Sequence, residues 1–83
     1  MDENELLKRI TFHPGIFGGK PIIRGHRIAV EHVLGMLAAG DTPEVLAREY
    51  DFLELADIQA CLLYAAKMIG REYVYPISVE QAV

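Results

Sequence analysis

The pattern of hydrophobic and polar residues divides the chain at about residue 30. Before that point, short β-branched runs alternate with turn residues, and Ile22-Ile23 and residues 28–30 flank the basic segment 24–27. Such runs around a short polar segment are typical of a β-hairpin. Because Pro21 has no amide hydrogen, its strand should lie at a sheet edge or begin there. The sequence therefore predicts a small hairpin with a four-residue basic tip.

After residue 30, apolar residues recur at intervals of three and four, which is the period of an amphipathic helix. Gly40 suits the position just after a helix, while Thr42 and Pro43 suit the N-cap and the first position of the next one. The pattern predicts three helices, over residues 31–39, 43–50 and 55–69.

The third predicted helix is apolar over most of its circumference, with Leu63 and Tyr64 lying off its main stripe. A helix of this kind is either central to the core or in contact with another subunit. Because the whole domain is small, we expect a homodimer contact. The stripe consists of Leu55, Ile58, Leu62, Ala65 and Ile69, and the dimer or core candidates are Leu55, Ile58, Leu62, Leu63 and Ile69.

The glycine-rich stretch 14–20 contains turn signals. Pro14-Gly15 suits the centre of a type II turn, and Gly18-Gly19 suits a second tight reversal. A phosphate-binding P-loop is excluded, because the count from Gly15 to the Gly-Lys pair is one residue short and Pro21 occupies the place of the required hydroxyl residue.

The chain has a net charge of -4, but its charges are separated along the sequence. Residues 8–27 carry five Lys and Arg and no carboxylate, whereas residues 41–57 carry six carboxylates and one Arg. A basic pole could bind phosphates and an acidic pole a basic partner; the alternative is that both are solvated faces. The DNA-phosphate candidates are Lys20, Arg24, His26 and Arg27, and the partner-binding candidates are Glu49, Asp51, Glu54 and Asp57.

The 83 residues suffice for one domain, which we place at 10–70, between an N-terminal tail 1–9 and a C-terminal extension 71–83. The extension could be a further helix, a strand paired across a dimer or a tail that orders on a partner. The longest apolar run, residues 60–66, is far shorter than a membrane span, and the acidic N-terminus does not resemble a secretion signal. We therefore expect a cytoplasmic location without membrane association.

Catalytic and metal-binding patterns are weak. Cys61 is the single cysteine and lies in an apolar helical stretch, where a thiol usually behaves as a small hydrophobic group. The three histidines include no pair spaced as helical metal ligands, and Ser78 is the only serine. We predict no catalytic residue, metal or cofactor, and a protein that is not an enzyme.

The lengths of the three helices predict a helix-turn-helix arrangement behind the hairpin, so that the fold class is mainly α. Glu54, Asp57 and Gln59 are expected to point outward early in the third helix, where carboxylates would repel DNA phosphates. If DNA is bound, the hairpin tip and Lys8-Arg9 are therefore better candidates.

The run Gly-Gly-Lys-Pro-Ile-Ile-Arg-Gly at residues 18–25, followed by Arg27, closely resembles the DUF433 family. The resemblance continues through residues 37–40, 44–50 and 57–58 and spans about residues 10–66. It implies a small homeodomain-like helical domain after a short β segment, and some members are described as VapB-like antitoxins encoded beside a PIN-like ribonuclease toxin. This chain departs from the family in having His26 in place of Thr, Ala29 in place of Pro, and Glu54 in place of a capping Thr.

Two functional hypotheses follow. The first is an antitoxin-like regulator that binds promoter DNA through the hairpin tip and a PIN-like nuclease toxin through its acidic segment or C-terminal extension. The second is a protein-interaction or dimerisation adaptor without DNA binding, in which Arg24 and Arg27 pair with the carboxylates of residues 41–57.

Overall fold

The computed structural model describes residues 1–70, so the predicted extension 71–83 lies outside the described residues. Within residues 1–70 the protein combines four helices with a three-stranded antiparallel sheet, which agrees with a helical core preceded by a hairpin. The elements are α1 (Glu3–Leu7), β1 (Ile10–Thr11), a 3₁₀ turn (Phe17–Gly19), β2 (Ile22–Ile23), β3 (His26–Ala29), α2 (Val30–Ala38), α3 (Pro43–Glu49) and α4 (Leu55–Gly70).

The sheet has the order β1-β2-β3, with β2 in the middle. Ile23 of β2 pairs with Ile10 of β1 and with His26 of β3. Pro21 stands immediately before β2, where its carbonyl accepts a hydrogen bond of 2.9 Å from the Val30 amide. The missing amide hydrogen of Pro21 therefore interrupts no pairing within the central strand.

The hairpin tip is shorter than the predicted four residues. His26 and Arg27 belong to β3, which leaves Arg24 and Gly25 as the turn. Both turn residues have positive φ, 42° at Arg24 and 73° at Gly25. Two consecutive positive φ values characterise the tight two-residue turns whose twist matches that of paired strands.

The turn chemistry of the glycines differs in one place from the prediction. A type II turn requires positive φ at Gly15, but Gly15 is absent from the residues with positive φ in the described chain, so this prediction is wrong. The Gly15 amide instead donates a hydrogen bond of 2.9 Å to Nδ1 of His13. Gly18 and Gly40 do have positive φ, which confirms a tight reversal at residues 18–19 and the end of α2 before Gly40.

The ends of the helices follow local capping chemistry. The Thr42 hydroxyl accepts a hydrogen bond of 3.2 Å from the Val45 amide, and Pro43 occupies the first position of α3, as predicted. The segment 1–9, which was predicted to be an N-terminal tail, contains α1, and Asp2 caps it by accepting a 2.8 Å bond from the Glu5 amide. This short helix packs against α4.

The core lies between the sheet and helices α2, α3 and α4. Its fully buried members include Ile23, Val33, Leu46 and Ile58. Isoleucine dominates the sheet side, where β-branched side chains pack well on a pleated surface. None of the helices in residues 1–70 combines the length and apolar character that a membrane crossing demands.

The buried face of α4 is not the predicted apolar stripe. Of the five stripe residues only Ile58 is buried, while Leu55 and Leu62 are each 51% exposed and Ile69 is 67% exposed. The buried face is instead formed by Asp57, Ile58, Ala60 and Cys61. In a helix that is apolar on nearly all sides, the spacing of apolar residues does not determine which face is buried. The hydrogen bonds of Asp57 to Arg24 and Arg9 therefore decide which face of α4 turns toward the core.

Candidate functional site

Asp57, at the start of α4, is the centre of a buried ion-pair network. Its side chain is fully buried. Arg24 donates from Nε to Oδ1 and from Nη2 to Oδ2, each over 2.9 Å, and Arg9 donates from Nη1 to Oδ1 over 3.0 Å. This two-pronged guanidinium–carboxylate geometry is among the strongest hydrogen-bond arrangements in proteins. It ties the turn between β2 and β3, and the chain before β1, to the start of α4.

The same carboxylate caps α4. Oδ2 of Asp57 accepts a hydrogen bond of 2.9 Å from the Glu54 amide, just before the helix. A side chain that reaches back from the third helical position in this way satisfies one of the free amides of a helix start. Asp57 therefore satisfies the amide of Glu54, the residue that immediately precedes α4.

The pKa shifts within the network favour the charged forms of Asp57, Arg9 and Arg24. Burial acts to raise the pKa of Asp57, but the hydrogen bonds from Arg24, the Glu54 amide and Arg9 outweigh burial and hold that pKa below its usual range. The hydrogen bonds to Asp57 raise the pKa of Arg9 and of Arg24, although burial opposes this. The Glu54 carboxylate lies 3.4 Å from Arg9 and 3.6 Å from Arg24, so two bases face two acids.

The predicted phosphate-binding residues do not form an unpaired basic tip. Arg24 is bound to Asp57 and also donates to the Phe52 carbonyl. Lys20 forms an ion pair of 2.7 Å with Glu31, and its hydrogen bond and charge lower the pKa of Glu31. The His26 ring stacks on Phe52 at 4.0 Å. Among the four candidates, only Arg27 is an exposed base without an acidic partner in residues 1–70.

The four predicted partner-binding acids do not form one exposed acidic surface. Asp57 was expected to point outward; this is wrong, because the two arginines and the helix cap hold it inside. Glu54 is exposed but lies beside Arg9 and Arg24. Glu49 and Asp51 are exposed and form no ion pair within the described residues.

The exposed side of α4 presents apolar residues to solvent. Leu55, Leu62 and Ile69 are spaced seven residues apart, and we call them the α4 stripe. Leu63 is half-buried and lies away from the stripe. Next to the C-terminal half of α4 is a groove of about 420 Å³, lined by Leu7, Ile10, Phe12, Tyr64, Lys67 and Met68.

A second cavity lies on another side of the molecule, between β3, α2 and the segment that joins α3 to α4. We call it the aromatic cavity. Its volume is about 340 Å³, and its lining consists of Arg27, Ile28, His32, Met36, Tyr50 and Phe52. No motif in the sequence marks this cavity, because its lining comes from two stretches, 27–36 and 50–52, that are separated in the chain.

Reactive groups are sparse in the described residues. Cys61 is buried, and burial together with the nearby negative charge of Asp57 raises the pKa of its thiol to about 12. A thiol with such a pKa is almost entirely protonated near neutral pH and is a poor nucleophile. Residues 1–70 contain no group of three or more His, Cys, Asp or Glu placed to bind a metal ion.

The family model described as "Protein of unknown function (DUF433)" matches residues 10–65. The chain belongs to the DUF433 family. The matched region includes both Arg24 and Asp57, whereas Arg9 lies just before it. The resemblance that the sequence suggested is therefore confirmed.

The chain is also similar to "Uncharacterized protein y4eO" of Sinorhizobium fredii, with 34% identity over 68 residues. The similar region is 80% of this chain but 31% of that protein, so this DUF433 chain spans about a third of its relative's length. No solved structure matches the chain.

Proposed function

We propose that this DUF433 chain is a non-enzymatic protein-interaction module that forms a homodimer through the α4 stripe. The observation that supports this proposal is the exposure of Leu55, Leu62 and Ile69 at intervals of seven residues on one helix. Intervals of seven keep apolar residues on one side of a helix that packs along a partner helix. Covering such half-exposed side chains stabilises an association by on the order of 1 kcal/mol each.

The distribution of charge also favours an interaction module over a DNA-binding protein. Arg24, Arg9 and Lys20 are all engaged by carboxylates of the same chain. DNA binding gains affinity when Lys and Arg side chains neutralise phosphates and so release counterions from the DNA. A base that is already paired with a carboxylate contributes little to this release. The adaptor hypothesis paired Arg24 and Arg27 with the acidic segment; Arg24 contacts Asp57 and Glu54, whereas Arg27 has no acidic partner in residues 1–70.

Sedimentation of the purified chain tests the homodimer. We expect a dimer at micromolar concentration, and Leu62→Glu should convert it to a monomer, because a carboxylate at the centre of the stripe would be buried without a partner. The helical circular dichroism of Leu62→Glu should persist, since residue 62 is exposed in the single chain.

The matched control is Ala38→Glu, which places the same charge on an exposed position of α2 and should leave the dimer intact. A wild-type chain that sediments as a monomer would contradict the proposed homodimer. So would a Leu62→Glu variant that remains a dimer.

A second candidate is the antitoxin-like regulator that the DUF433 resemblance suggests. Residues 50–54 join α3 to α4 by a short corner, as a homeodomain-like helix-turn-helix arrangement would require. Arg27 and Lys8 are exposed bases without a partner in residues 1–70, and Glu49 and Asp51 are exposed acids that could contact a basic PIN-like nuclease. These features support the candidate, but less directly than the α4 stripe supports a homodimer.

The salt dependence of DNA binding tests this second candidate. With Arg27 as the main free base of the hairpin, the slope of log K against log salt should be about -1 to -2, much shallower than that of a protein contacting six phosphates. Arg27→Ala should remove the gel shift without affecting the fold, and a PIN-like nuclease should co-purify with the chain. If DNA is not retained even at low salt, the DNA-binding part of this candidate is excluded.

A further inference from the structure

We propose that the aromatic cavity binds a peptide segment of a partner protein that carries a carboxylate next to an aromatic or apolar side chain. Arg27 would bind the carboxylate, and Phe52 and Met36 would contact the apolar group. The inference rests on the proposed function of an interaction module and names a second binding surface, on a side of the molecule that α4 does not line.

The charge of the cavity favours an anionic group. Arg27 is the only Lys or Arg in the lining, and the lining of the aromatic cavity contains no Asp or Glu. In residues 1–70 Arg27 is exposed and has no acidic partner, unlike Lys20, Arg24 and Lys67, which all form ion pairs. A free guanidinium on a wall without acidic side chains binds a planar carboxylate through two parallel hydrogen bonds.

The apolar wall is held in place by ring contacts. The Phe52 ring stacks on His26, with ring centres 4.0 Å apart and planes at 11°, and meets Tyr50 at 6.2 Å and 62°. His32 of the lining meets Phe17 edge to face, with ring centres 5.8 Å apart. Because these rings already pack on one another, they lose little side-chain freedom when a ligand covers them.

One polar group of the wall remains available to a ligand. The Tyr50 hydroxyl donates over 3.6 Å to the sulfur of Met36, which is a weak acceptor. A stronger acceptor, such as a peptide carbonyl, can therefore replace the sulfur at little cost. An apolar cavity with a few polar groups, of at least 300 Å³, has the usual character of a ligand site.

The presence of one basic side chain in the lining favours a peptide over a nucleic acid strand as the ligand. A strand that stacks its bases on aromatic side chains also brings a phosphate with each nucleotide, and such sites follow the backbone with several bases. Here one guanidinium faces the cavity, which matches one carboxylate. The observations therefore favour an acidic peptide, and nucleic acid becomes an outcome of the test.

The test is an NMR titration of the full chain with 3-phenylpropionate, which joins a phenyl ring to one carboxylate, and with the neutral 3-phenylpropanamide. We expect the propionate to move the resonances of Arg27, Tyr50 and Phe52 and to bind roughly tenfold more tightly than the amide, because the charged hydrogen bond is lost with the amide. Arg27→Gln should abolish this preference.

The matched control is Arg48→Gln, which removes another exposed base that does not line the cavity and should keep the preference. Leu62→Glu should also bind the propionate normally, so failure of the homodimer and failure of the cavity site are distinguished. Equal binding of propionate and amide, or shifts that avoid these three residues, would overturn the proposal. So would tighter binding of an oligothymidylate at the same resonances.

Discussion

The side chain of Arg24 explains an unusual backbone position. Arg24 has a φ of 42° in the hairpin turn, a region that residues with a Cβ adopt at a cost of roughly 1–2 kcal/mol. The turn directs its guanidinium to both oxygens of the buried Asp57. The ion pair therefore offsets the strain of the turn, and the basic tip of the sequence is part of the fold.

Removing the negative charge of Asp57 should strongly destabilise the chain. Asp57→Asn leaves Arg24 and Arg9 beside an amide that cannot neutralise them, and breaking a buried pair from one side costs about 3–5 kcal/mol. Because the Arg24 side chain is 32% exposed, we expect the lower part of this range. Urea unfolding measures the change in the free energy of unfolding.

Asp51→Asn is the control for this substitution. It makes the same chemical change at an exposed carboxylate on the corner before α4, and should alter the free energy of unfolding by less than about 0.5 kcal/mol. Equal effects of the two substitutions would show that the network contributes nothing specific to stability.

At the scale of elements, the hairpin turn and the start of α4 form one unit. The turn supplies Arg24, and the helix start supplies Asp57, whose Oδ2 also accepts from the Glu54 amide. A change in the turn should therefore affect the helix cap, although the two lie about thirty residues apart in the sequence.

Arg24→Asn separates turn preference from ion pairing. Asn followed by Gly is the favoured pair for a two-residue turn with positive φ, so local preference alone predicts a more stable hairpin. We expect the opposite, a loss of about 2 kcal/mol or more, because Asp57 loses its two-pronged partner. Thermal or urea unfolding measures the difference.

Arg27→Asn serves as the comparison, since it changes a neighbouring base that forms no ion pair in residues 1–70. Its effect should be smaller than that of Arg24→Asn. If Arg24→Asn stabilises the chain, the turn outweighs the ion pair and our account of the network is wrong.

At the scale of the whole molecule, folding brings the two oppositely charged segments together. Arg9 and Arg24 of the basic segment contact Glu54 and Asp57 of the acidic segment. The separation of charge along the chain is therefore partly cancelled in space. This contact links the sheet to α4 through charges, and stability should accordingly depend on pH.

Acid should unfold the chain through Asp57. The folded-state pKa of Asp57 is lowered, so its contribution is fully present above the unfolded value of about 4 and is lost as pH falls through the folded value. We therefore expect the free energy of unfolding to decline below about pH 4. Urea unfolding at a series of pH values measures this decline.

Asp57→Asn should flatten much of that acid dependence, because it removes the group with the lowered pKa. Asp51→Asn should retain the dependence of the wild-type chain. An unchanged acid profile in Asp57→Asn would assign the effect to other carboxylates, among which Glu31 also has a lowered pKa beside Lys20.

Local chemistry made several features predictable from the sequence. Helix boundaries near Gly40, Thr42 and Pro43 depend on neighbouring residues, and the structure reproduces them. The hairpin around residues 22–29 follows equally from short β-branched runs. The DUF433 resemblance followed from one continuous motif, and the family match confirms it.

The sequence also carries a local signal for the inward position of Asp57. An acid three residues after the residue that precedes a predicted helix fits a capping pattern, and Asp57 has this spacing from Glu54. That spacing could have indicated that Asp57 turns back toward the helix start.

Tertiary structure alone decided which side of α4 is buried and which charges are free. The helix is apolar on most sides, so periodicity left several rotations nearly equivalent, and the contacts of Asp57 with Arg9 and Arg24 selected one. The aromatic cavity likewise arises where residues 27–36 meet residues 50–52, which come together only in the folded chain. Propensities and caps act within a few residues, whereas ion pairs and cavities depend on distances between segments remote in sequence, which the order of residues does not specify.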